Sequence, residues 1–112
     1  MFENSSEETA YHKLLILYIL YKIKMDLTNS QITQVVLETE MMNYFSLQQL
    51  LSQLMESKFL KIYKDSDKEY YCLTQKGLET LESLMLKIPI DSANKVDHYI
   101  KLNKESLLAE TQ

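Results

Sequence analysis

The chain of 112 residues contains no arginine and only one glycine, one proline and one cysteine. So little glycine and proline argues against a turn-rich all-β protein, and a single glycine excludes a glycine-rich phosphate loop. Cys72, the lone cysteine, can form neither an intramolecular disulfide nor a cysteine-rich metal site. With no second Cys, Arg or His beside it, it reads as an inert thiol rather than a redox sensor. Missing arginine removes the side chain best suited to bidentate guanine contacts. A coding sequence rich in A and T would leave the same gap, together with the abundance of Lys, Asn, Ile and Tyr seen here. Long hydrophobic runs are absent too. The most apolar stretch, LLILYILY at 14–21, lies between Lys13 and Lys22; a membrane span needs ~20 residues, so this is read as a buried core helix. The N-terminal MFENSSEETA is acidic and polar, unlike a signal or transit peptide, and a cytoplasmic protein without a membrane partner is expected.

What is present suits one helical domain of ordinary globular composition. Twelve lysines stand against sixteen Asp and Glu, giving a net charge of −4. Such a chain needs a local basic patch to bind a polyanion. Three helix starts share one local pattern, an apolar residue, a hydroxyl cap, and an apolar residue at the fourth helical position. In LTNSQI (27–32), Thr28 caps, Gln31 reaches back in a capping box, and Leu27 with Ile32 forms a hydrophobic staple. In FSLQQL (45–50), Ser46 and Gln49 supply the box, Phe45 and Leu50 the staple. In LTQKGL (73–78), Thr74 caps and Leu73 with Leu78 staples, while Gly77 stands where the Gln would be. Each cap is worth about 1 kcal/mol.

These signals place helices over about 8–24, 29–38 and 46–58, the first apolar nearly all round and the third burying Leu47, Leu50, Leu51 and Leu54. Then the period changes from helical to alternating. FLKIYK and EYYCLT flank DSDK, predicting a β-hairpin with a loose tip of about four residues, because no Asn-Gly or Asp-Gly is present. A fourth helix presents Leu78, Leu81, Met85 and Ile88 until Pro89 stops it. A fifth, from about residue 91, carries Val96, Ile100, Asn103 and Leu107 at 4-3-4 spacing, a helix-to-helix seam expected to form a homodimer interface.

The order α-α-α-β-β-α-α is that of a mainly α winged helix-turn-helix with a small β-hairpin, expected as a winged-helix domain over 1–88 and a dimerising helix over 89–112. The run YCLTQKGLETL (71–81) resembles the Y-x-L-T-x-x-G-x-x-x-L signature after the wing in PadR-like and MarR-like bacterial regulators. The segments LTNSQI and MNYFSLQQ are similar to an uncharacterised clostridial winged-helix family known only as a domain of unknown function. Members of that family continue further at the C-terminus, which implies that the chain is a fragment.

The resemblance implies a transcriptional regulator that binds double-stranded DNA as a homodimer, its third helix in the major groove. Gln48, Gln49 and Gln53 can each pair with adenine, Ser46 and Ser52 can reach phosphate or base, and Asn43 and Tyr44 lie where a backbone contact is expected. The alternative is that these side chains are simply the solvated face of an amphipathic helix. Lys64 and Lys68 on the wing are candidates for phosphate, against a reading of strand-edge lysines that deter aggregation. Residues 43–68 sum to +1 and the remainder to −5, so this face is the least acidic. The tyrosines of the first helix, Tyr11, Tyr18 and Tyr21, are expected to pack against the last helix or a partner subunit. No Ser/His/Asp or Cys/His set has local support, and His12 and His98 lack ligand-spaced companions, so no enzyme, metal or cofactor is expected. The rival function is a winged-helix module that binds proteins and not DNA, marked by an exposed apolar patch on the fifth helix or the Met41-Met42 loop.

Overall fold

A computed structural model describes the backbone of residues 5–111 and the side chains of residues 7–107; Met1–Asn4 of the polar N-terminal stretch and Gln112 lie outside the described residues. The elements run α1 (Ser5–Ile23), α2 (Asn29–Glu38), α3 (Tyr44–Glu56), β1 (Leu60–Asp65), β2 (Lys68–Leu73), α4 (Gln75–Leu84) and α5 (Ile90–Thr111). This is the winged helix-turn-helix order. Every residue from Leu14 to Leu20 is buried, so α1 runs through the core rather than across its surface. The other elements pack around it: α3, α4, α5 and β2 all touch α1. No helix among the described residues is long and apolar enough to cross a membrane.

At α2 the expected start is realised in full. Thr28 Oγ1 accepts from Gln31 N at 3.2 Å, Gln31 Oε1 accepts from Thr28 N at 2.9 Å, and Leu27 and Ile32 are both buried. At α4, Thr74 Oγ1 accepts from Gly77 N at 2.9 Å while donating to Lys58 O at 2.7 Å, which ties the helix start to the end of α3. Gly77 is required by contact. A Cβ there would lie 2.2 Å from Phe59 O and 3.0 Å from a Leu73 methyl. Beyond Leu84 the chain tightens into a 3-10 turn, Met85–Lys87, before Pro89 opens α5 by accepting from Ala93 N at 3.0 Å.

Two expectations are corrected. The cap of α3 is Asn43, whose Oδ1 accepts from Ser46 N at 2.8 Å; the helix begins a turn earlier than a Ser46 cap would place it. Met42 and Leu47 then occupy the staple positions within the core, and Phe45 is left 82% exposed. The hairpin tip is tight, with only Ser66 and Asp67 between the strands, at φ 53° and 68°. Both central residues therefore adopt the left-handed conformation of a type I′ turn, whose twist matches that of the strands. The register, Leu60 opposite Leu73 and Ile62 opposite Tyr71, leaves only two residues for the turn.

One pairing has no counterpart in the sequence patterns. Leu27 forms a bridge with Tyr71, exchanging hydrogen bonds of 2.7 and 3.3 Å, so the segment before α2 adds a third, minimal strand to the wing. Val96, Ile100 and Leu107 of α5 are buried in the same core as α1, and Gln31 Nε2 donates to Leu107 O at 3.2 Å. Asn103 of that seam donates its amide to Tyr99 O at 2.9 Å within α5. The expected intermolecular seam is thus an intramolecular one, which leaves Val96, Ile100 and Leu107 no surface to offer a second copy.

Candidate nucleic-acid interface

The helix-turn-helix pair is built without glycine. After α2, Glu40 takes φ 57°, and the bonds Glu40 N to Leu37 O and Met41 N to Val36 O close the helix end in a Schellman turn. Lys58 does the same after α3, at φ 66°, with Lys58 N bonded to Met55 O and Phe59 N to Leu54 O. These turns fix where α3 begins and where it hands over to the wing.

Its crossing with α2 is locked by side-chain amides. Asn29 Nδ2 donates to Gln48 Oε1 at 2.7 Å and Gln48 Nε2 donates back to Asn29 Oδ1 at 3.0 Å. Thr33 and the hydroxyl of Tyr71 complete the cluster at 3.1 to 3.4 Å. One small polar network therefore joins α2, α3 and the wing. Gln48, a candidate base reader by its place on the polar face, is half-buried and used inside the protein. Nothing in its local sequence distinguishes it from Gln49, because its partner lies nineteen residues away.

The remaining candidates divide between two directions. Ser46 and Gln53 are half-buried and turn toward the start of α1, where with Glu8, His12, Asn43 and Gln49 they line a groove of about 300 Å³. Gln49 and Ser52 are exposed, and with Phe45 and Glu56 they form the outermost line of α3 at helical spacing. Tyr44, at the first helical position, is 49% exposed, its ring edge-on to Phe45 at 5.9 Å between centroids. Asn43 is exposed, but its side-chain oxygen is occupied by the cap. The exposure of Phe45 follows from the earlier helix start, which takes Phe45 out of the staple position.

The wing lysines are both exposed, yet strand alternation puts Lys64 and Lys68 on opposite faces of the hairpin. Each stands directly across from a carboxylate, Lys64 from Glu69 and Lys68 from Asp65. The outer face also carries Tyr63 stacked on Tyr70 at 5.7 Å. The Tyr63 hydroxyl donates to Asp26 at 2.6 Å, and that bond, with burial and the carboxylate's charge, pushes its pKa up to about 12. Burial, then the nearby Asp26, pushes the half-buried Cys72 thiol up as well, away from reactivity at neutral pH. Among the described residues no three His, Cys, Asp or Glu side chains gather as a metal site would require.

A protein-family model described as Domain of unknown function (DUF4364) matches residues 12–112, and the chain belongs to that family. No curated protein and no solved structure matches it.

Proposed function

We propose that this member of the DUF4364 family is a DNA-binding transcriptional regulator of the PadR-like and MarR-like kind, acting in the cytoplasm without catalysis or cofactor. The observation that carries the reading is the rigid presentation of α3. Schellman turns bound it, the Asn29–Gln48 pair fixes its angle to α2, and its outward line offers the exposed Gln49 and Ser52. Rigid placement of a few polar side chains is what base-edge readout needs. Gln49 takes adenine, Ser52 a base or phosphate, and Tyr44 the backbone beside the helix start. Asn43 and Gln48 support the helix through their side-chain hydrogen bonds, while Ser46 and Gln53 line the groove toward α1. Lys64 and Lys68 approach phosphate from the two faces of the wing, and their opposed carboxylates keep the electrostatic term small.

As a homodimer the protein would hold two copies of α3 about 34 Å apart, one turn of DNA. With the inner seam of α5 buried, Leu86, Ile90 and Leu102, exposed on α5 and the turn before it, are apolar positions available for dimerisation. Binding of short random-sequence duplexes at low salt tests the reading. Gln49→Ala and Ser52→Ala, on an exposed face, should weaken binding several-fold while leaving the fold intact; unchanged binding in both variants would remove α3 from the interface.

A specific observation favours a second reading, a winged-helix module for protein partners. Leu37, Tyr44 and Phe45 are exposed around the α2–α3 turn, beside half-buried Met41 and Met42. Apolar side chains clustered in this way commonly mark a protein contact. Under that reading no duplex is bound at low salt.

A further inference from the structure

The aromatic ring at the start of α3 has a use that the amides and hydroxyls of that helix do not explain. Phe45 is 82% exposed, the most exposed aromatic ring among the described residues. Its backbone nevertheless belongs to the capped first turn of α3. It occupies the second position of α3, two residues after the Asn43 cap, with the Tyr44 ring edge-on at 5.9 Å. It shares the outward line of the helix with Gln49 and Ser52, and Gln49 follows it by four residues. Four residues of helix rise about 6 Å, close to two base-pair steps of about 3.4 Å.

We propose that the Phe45 ring packs against thymine 5-methyl groups in the major groove, so that α3 selects A·T base pairs. The inference rests on the DNA-binding reading above. An apolar side chain recognises one feature of the major groove, the methyl of thymine, and an amide recognises adenine through N6 and N7. Guanine, by contrast, is taken by Arg or Lys donating to O6 and N7. The chain has no arginine, and α3 has no lysine within Tyr44–Glu56. What the N-terminal half of this helix offers a base pair is therefore an apolar ring and an amide one turn apart, both suited to A·T. Ser52 suits either pair, and Glu56, which could accept from cytosine, lies at the C-terminal end of the helix. The Phe45 ring also loses little rotamer freedom on binding, since an aromatic side chain has few rotatable bonds.

Two alternating duplexes that differ only in the methyl group, poly(dA-dT) and poly(dA-dU), isolate the contact. The full chain and its Phe45→Ala variant are titrated with each at low and moderate salt. The wild-type protein should bind poly(dA-dT) about fourfold more tightly, the ratio that burial of one methyl-sized group gives. In Phe45→Ala the two duplexes should bind alike, and the exposure of the ring means that the variant keeps its fold. Circular dichroism of the variant checks this. Salt-dependent binding with equal affinities in the wild-type protein, or a preference that survives in Phe45→Ala, overturns the inference and leaves the DNA-binding reading standing. No binding of either duplex overturns both, and assigns the ring to a protein contact.

Discussion

At the scale of single residues, contact geometry and proton equilibria decide what can change. Gly77 sits where a Cβ would meet the Phe59 carbonyl at 2.2 Å, so Gly77→Ala must push α4 from the end of α3 or displace the hairpin. A loss of about 2 kcal/mol or more is expected, read as a lower urea midpoint; an unchanged midpoint would mean that α4 adjusts freely. Among the described residues, Tyr18 and Tyr63 contribute to the alkaline behaviour. Burial, then the hydrogen bond to Asp97, pushes Tyr18 up to about 12; the hydrogen bond to Asp26, then burial, does the same for Tyr63. Both folded values exceed the unfolded value of 10.0. The stabilisation is therefore complete below pH 10 and is lost as pH rises through about 12. Tyrosinate absorbance should show late ionisation that loses one group in Tyr18→Phe and one in Tyr63→Phe. Ionisation of both at the unfolded value would contradict the two hydrogen bonds.

At the scale of elements, the amide pair between α2 and α3 separates structure from recognition. Gln48→Ala leaves Asn29 without its reciprocal partner in a half-buried site, and a loss of about 1–2 kcal/mol is expected. Gln49→Ala, on the exposed line, should leave thermal unfolding unchanged. Equal effects on stability would mean that the Asn29 contact is not maintained in solution. Two adjacent glutamines thus have different duties, and this marks where sequence stops being informative. The α2 start was legible in full because cap, box and staple all lie within six residues. The α3 start was misplaced because Asn43 and Ser46 are both cap formers, three residues apart. Asn43 prevails because it puts half-buried Met42, not Phe45, at the staple position against the core. The hairpin was legible from alternation, but its tip was not. Ser66-Asp67 lacks the glycine that marks a type I′ turn in sequence, and it is the cross-strand register that places both residues in the left-handed region. The Leu27–Tyr71 bridge and the Asn29–Gln48 pair join positions far apart in sequence, where no local period can show them.

At the scale of the whole molecule, α5 belongs to the fold before it belongs to any assembly. Leu107 is buried beside Gln31, so Leu107→Ala should cost about 2–4 kcal/mol at every protein concentration. A loss that grew on dilution would show instead that this residue holds two copies together. The central claim, that an acidic chain presents one face to DNA, is likewise a property of the entire charge distribution. Its total is −4, while the wing and its approach gather Lys58, Lys61, Lys64 and Lys68 among carboxylates. The most direct test is the salt dependence of duplex affinity for the full wild-type chain. A logarithmic plot of the binding constant against salt should fall with a slope of about −2 to −4, the release expected from two to four phosphate contacts. Absence of binding at low salt, or an affinity indifferent to salt, would contradict the account.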